Sequence, residues 1–266
     1  MRKNTITRAK NKLYGEIAVP LMEKEFTAEG ITLHYLLFRR HSPVLIIGFQ
    51  GGPDHGKPRY NYLSTLSGIN ANRLYIKDDI VPNGNYYLGS GGKFNMEAAT
   101  RMLIADTIRK CGAEKTILIG SSKGGYAAIN YGIEIPGSVM IAASPQYWLG
   151  NYMSSVRSLR FGMEDVLGLP VTKEKLSMLN GRLKEKIGND PYAETQKVYI
   201  HCSVNDMTYH KHVLYLQNDL AKAGVQQVFD KRDYEGHETL KYYFPQYLRA
   251  TAIYETAVYT EGGHHV

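Results

Sequence analysis

Cysteine is scarce: the 266 residues hold two, Cys111 and Cys202. They form no CxxC pair and no metal-ligand spacing, so a disulfide scaffold and a zinc ribbon are both excluded. Cys202 falls in the apolar run Val198-Tyr199-Ile200-His201-Cys202 and reads as a buried core thiol. No apolar run approaches 18 residues, so no transmembrane helix is expected. The basic stretch from Met1 to Lys12 has no apolar segment behind it, which predicts no secretory signal and a cytoplasmic location. There is no internal repeat and no low-complexity segment. Charged residues make up 21% of the chain and hydrophobic ones 43%. That balance excludes a disordered or fibrous chain.

The chain carries a formal net charge of +7 and 21 tyrosines beside a single tryptophan. Part of the excess charge lies in Arg2, Lys3, Arg8, Lys10 and Lys12, which read as a solvated tail. Tyrosine-rich surfaces stack on sugars or line interfaces. Short apolar runs alternate with amphipathic ones. Strands are expected over 31–38, 44–49, 73–77, 116–119, 139–143, 198–203 and 226–229. Helices are expected over 95–111, 124–133, 212–223 and 239–256. The alternation predicts an α/β fold, with a mostly parallel central sheet flanked by helices. Residues 149–190 break this rhythm with no strand pattern and many basic residues. They are expected to form a helical lid inserted into a core made of 1–148 and 191–266.

The sequence Gly120-Ser121-Ser122-Lys123-Gly124 follows an apolar strand and opens a helix. It matches G-x-S-x-G, in which the serine sits on a strained turn at the carboxyl end of the sheet. Ser122 is therefore the candidate nucleophile, and Ser121 should point elsewhere. Two phosphate-binding glycine motifs are not matched: Gly91-Gly92-Lys93 is followed by Phe94, and Ser122 replaces a glycine in the other. No nucleic-acid partner and no nucleotide cofactor are expected.

A serine hydroxyl needs a base, and the order serine, acid, histidine goes with this turn. Asp206 follows the strand over 198–203. His237 follows the last strand and opens the last helix. Plainer readings exist: Asp206 as a turn former, His237 as a surface histidine, His201 as a core residue. Asp233 and Glu235 are rival acids, close in sequence to His237. His210 and His212 have no third ligand at a clear spacing, so no metal is expected. The oxyanion donors should be the backbone amides of Lys123 and of Phe49 or Gln50, each worth about 3 kcal/mol of barrier. Gly51, Gly52 and His55 in the same loop would meet substrate. The side chain of Lys123 should either meet an anionic substrate or face solvent.

These residues resemble the α/β-hydrolase superfamily: the strand after residue 43, the turn at Ser122, the acid at Asp206 and the histidine at His237. More narrowly, Ile76-Lys77-Asp78-Asp79, Asn85-Tyr86-Tyr87-Leu88-Gly89 and Gly120 to Gly125 look like a branch with capsular-polysaccharide biosynthesis proteins and a glycan-acetylating accessory secretion protein. The resemblance implies an acyl-enzyme, no cofactor, and a small-molecule or glycan acyl ester as substrate. Esterase, acetyltransferase, peptidase and a silent binding subunit all stay open. The loop Gly48-Phe49-Gln50-Gly51-Gly52 departs from the His-Gly-Gly-Gly of many esterases.

Overall fold

A computed structural model describes residues 19–52 and 58–261. Eight strands form one sheet in the order β1-β2-β4-β3-β5-β6-β7-β8. They are β1 (Lys24–Ala28), β2 (Ile31–Phe38), β3 (Val44–Phe49), β4 (Asn72–Ile76), β5 (Lys115–Ser121), β6 (Val139–Ala143), β7 (Lys197–Ser203) and β8 (Gln226–Arg232). Only β1–β2 and β2–β4 pair antiparallel; every later pairing is parallel. The result is a mostly parallel α/β sheet with an antiparallel margin.

The central strands are apolar at consecutive positions because both faces of the sheet are covered. Alternation assigns β3 to two cores: Leu45, Ile47 and Phe49 face one, Val44 and Ile46 the other. The first core is closed by α1 (Asn95–Cys111) and α2 (Lys123–Gly132). The second is closed by the last helix of the chain (Leu240–Glu261), through Phe244, Leu248 and Ala252.

Strand β1 lies outside the strands expected from the apolar pattern. It joins β2 through Glu29 and Gly30, at φ 54° and 72°, in register Ala28 to Ile31. A two-residue loop with both φ positive suits the twist of a hairpin.

Between β6 and β7 the chain is helical: α3 (Leu149–Ser155), a 3₁₀ turn (Arg157–Leu159), α4 (Arg160–Leu167) and α5 (Lys173–Gly188). Leu149, Met153, Val166, Leu179, Leu183 and Ile187 share the first core. Glu97 of α1, fully buried, accepts from Arg182 and Lys186 of α5 and from Arg101 at 3.0 Å. Asp165 of α4 accepts from Ser90 Oγ at 3.0 Å and from the Gly91 amide at 3.1 Å. Helices α4 and α5 are thus fastened to α1 and to the loop that precedes it. After β7 come one wide helical turn (Tyr209–Val213) and α6 (Leu214–Lys222); the last helix, Leu240–Glu261, is α7. No helix among the described residues is long and apolar enough to cross a membrane.

Candidate active site

The parallel strands all end at one rim of the sheet, where an open α/β sheet presents its functional loops. Ser122 stands there, between β5 and α2, at φ 52° and ψ −120°. A non-glycine residue held at positive φ stores roughly 1–3 kcal/mol. The turn is tight because its flanking glycines are in contact. A Cβ on Gly120 would lie 2.2 Å from Gly124 O, and one on Gly124 would lie 2.5 Å from Phe49 O. The first turn of α2 is therefore pressed against the end of β3. Ser121 points elsewhere, its Oγ 2.6 Å from Tyr62 Oη.

Asp206 and His237 come together although 31 residues separate them. Asp206 follows β7, and His237 follows β8. Nδ1 of His237 lies 2.7 Å from Asp206 Oδ2, and the Thr208 amide donates to Asp206 Oδ1 at 2.8 Å. The carboxylate is 1% exposed and the imidazole 35%. Burial pushes the Asp206 carboxyl up. The hydrogen bond and charge of His237, the Thr208 amide and the Ser144 hydroxyl outweigh it and hold the carboxyl at about 2. An ionised Asp206 fixes the proton on Nδ1 and leaves Nε2 as the free base. The rival acids Asp233 and Glu235 are exposed, and among the described residues neither bonds to His237.

Ser122 Oγ accepts from Gln146 Nε2 at 3.1 Å. Among the described residues no hydrogen bond joins it to His237. Gln146 is fully buried, just beyond β6, and among the described residues its Oε1 has no partner. Nothing local in the sequence marks it. His201 is buried in the core, its Nδ1 2.6 Å from Asp230 Oδ2. His212 accepts the amides of Tyr147 and Trp148 on Nδ1, at 3.1 and 3.2 Å. Burial foremost, then Lys211, lowers its imidazole to about 4. It is a neutral brace for the segment after Gln146.

In the loop after β3, where an oxyanion donor is expected, the backbone amides already have partners. Phe49 is the last paired residue of β3, opposite Ile76, with its ring stacked on Tyr131. The Gln50 amide donates to the buried Tyr87 Oη at 2.7 Å, so in this state it is committed. The next amide, Gly51, donates to the side-chain oxygen of Asn61 at 2.9 Å. Gly52 is exposed, and His55 lies outside the described residues. The Lys123 side chain neither faces solvent nor waits for an anion. It is 2% exposed and ion-paired with buried Asp78 at 2.7 Å. The reason is direction: from the first turn of α2 it runs inward to the loop after β4.

No protein-family model matches the sequence, and no curated protein matches it. Solved structures do. The capsule O-acetyltransferase of Neisseria meningitidis serogroup A, in a complex with CoA, is similar over 90% of this chain and 98% of that one (19% identity, TM-score 0.69). The fluorophosphonate-binding serine hydrolase F of Staphylococcus aureus is similar over 87% and 96% (15% identity, TM-score 0.59). A chain of the glycosylation-associated protein complex of Streptococcus agalactiae is similar over 89% of this chain and 47% of that one (15% identity, TM-score 0.73). At these identities the likeness establishes the architecture: the chain has the α/β-hydrolase fold, mostly parallel sheet and flanking helices included.

Proposed function

We propose that the protein is a serine-dependent acyl-transfer enzyme, with Ser122 as nucleophile, His237 as general base and acid, and Asp206 as the residue that orients His237. The observation that carries this reading is the 2.7 Å Asp206–His237 pair, on the rim where Ser122 occupies its strained turn. Ser122 Oγ attacks a carbonyl carbon, and its proton passes to His237 Nε2. The bond from that carbon to the leaving group breaks (C–O in an ester, C–S in acetyl-CoA), and His237 returns the proton to that group. Water or a sugar hydroxyl then gives its proton to His237 and attacks the acyl-enzyme; the acyl carbon–Oγ bond breaks, and His237 returns that proton to Ser122 Oγ. In the resting state the serine is turned to Gln146. Catalytic hydrogen bonds often tighten only once substrate is bound.

The Lys123 amide, first in α2, supplies one oxyanion donor. We assign the other to Gly51, because its present partner is an amide side chain that a substrate oxygen can replace, whereas Gln50 is tied to Tyr87. Residues 149–190 act as a fixed cap over this rim, in keeping with their anchorage at Glu97 and Asp165. The substrate is an acyl ester, most simply an acetyl ester, and the acceptor or leaving group belongs to a bacterial surface glycan. The similarity to the capsule O-acetyltransferase is what supports that choice. The test offers p-nitrophenyl acetate and acetyl-CoA, with and without soluble capsular oligosaccharide, to wild type and Ser122→Ala. Acetate release or transfer by wild type alone is expected. Equal rates in the two proteins would overturn the assignment.

A further inference from the structure

The reaction above uses the backbone of Lys123 and leaves its side chain unemployed. That side chain lies in the interior, its Nζ 2.7 Å from Asp78 Oδ2, with 2% and 0% of the two side chains exposed. A buried ion pair is a poor device for stability, since apolar residues of similar volume often serve as well or better. One path among its remaining contacts leads to the loop after β3. The Asp78 carboxylate also accepts the Asn85 amide, at 3.0 and 3.1 Å. The Asp78 amide donates to Gln50 Oε1 at 3.3 Å. Gln50 gives its own amide to Tyr87 Oη, and Tyr87 Oη donates to Ile76 O at 3.0 Å. Lys123 Nζ lies 5.5 Å from the centre of the Tyr87 ring. Gly84 seals the pair: a Cβ there would lie 2.3 Å from both Asp78 Oδ2 and Lys123 Nζ.

The chain of contacts runs from the residue after the nucleophile to the residue before Gly51. We infer that the buried Lys123–Asp78 pair is a positioning device for the oxyanion site, holding the start of α2 and the loop after β3 at a fixed separation. The inference rests on the serine acyl-transfer reading. The backbone contact of Gly124 with Phe49 limits how closely these elements approach. The ion pair, with Gln50 hung from the Asp78 amide, limits how far they slide apart. Lys123 and Asp78 are positioning residues: neither side chain touches the reacting atoms.

The experiment compares wild type, Lys123→Met, and the apolar pair Asp78→Leu with Lys123→Met. The single variant strands a buried carboxylate and should melt at lower temperature. The double variant should recover most of the melting temperature. Its kcat on p-nitrophenyl acetate should nevertheless stay ~10–100-fold down, with KM within about two-fold of wild type. Affinity for a trifluoromethyl ketone, whose adduct places an oxyanion in the site, should weaken by the same factor as kcat/KM. A double variant that folds and keeps wild-type kcat and ketone affinity overturns the inference. So does one whose loss lies wholly in KM. Should the apolar pair not fold, Asp78→Asn with Lys123→Gln is read by the same two measurements. Wild type without Ser122-dependent turnover overturns the underlying reading as well, which keeps the two failures apart.

Discussion

Replacing Asp206 by asparagine changes one atom and reverses one hydrogen bond. The carboxylate accepts from His237 Nδ1 at 2.7 Å and from the Thr208 amide at 2.8 Å. An asparagine that keeps its oxygen toward Thr208 presents an NH₂ group to Nδ1. The imidazole then carries its proton on Nε2 and cannot take one from Ser122. A loss in kcat on the order of 10⁴ follows. The same substitution has a signature in stability. Against the upward push of burial, hydrogen bonds from His237 and the Thr208 amide hold the Asp206 carboxyl at about 2 in the folded protein, below the ordinary aspartate value of about 3.9. A group lowered in this way stabilises the fold above the unfolded value, and the contribution disappears as pH falls through the folded one. The full contribution is about 2 kcal/mol, of which roughly 1.5 kcal/mol is lost between pH 5 and pH 2.5. Urea unfolding of wild type and Asp206→Asn at those two pH values isolates it. Wild type should lose about 1.5 kcal/mol more than the variant over the interval. Parallel pH dependences, or a kcat within tenfold of wild type, would rule out this role for Asp206.

Ser122→Gly should abolish turnover and raise stability by roughly 1 kcal/mol, because glycine tolerates the φ of 52° held there; chemical denaturation checks it. Glu97→Ala strips Arg182 and Lys186 of their buried partner. It should cost about 3 kcal/mol and open α5 to limited proteolysis, read by mass mapping of the first cleavage sites.

Much of the architecture was legible because the physics is local. β3 and β6 are apolar at every position but glycine and buried throughout, and such runs between helices announce a covered parallel sheet. Helix α1 begins and ends where its period said. Strand β1 was missed because it is a margin strand with three exposed residues among five, and its sequence Lys-Glu-Phe-Thr-Ala carries little apolar alternation. Helix α6 is preceded by the wide turn Tyr209–Val213, set by burial of Tyr209, His212 and Val213 rather than by a capping signal.

The candidate site divides in the same way. Ser122 was marked by its glycines, and Asp206 and His237 by their places after successive strands. The Lys123–Asp78 pair spans 45 residues, so no local spacing announces it. Asp78, Asn85 and Tyr87 stood in the segments that carried the family resemblance, and the structure supplies their physical reason: they form one buried network around Lys123. The commitment of the Gln50 amide to Tyr87, and the approach of Gln146 to Ser122, depend on loop paths that residue types do not encode.

An activated Ser122 nucleophile underlies the proposed chemistry, and intact mass after exposure to a fluorophosphonate reads it directly. One covalent adduct is expected on wild type, mapped by digestion to Ser122 and absent from Ser122→Ala. No adduct on the folded protein, or an adduct that persists in the variant, would contradict it.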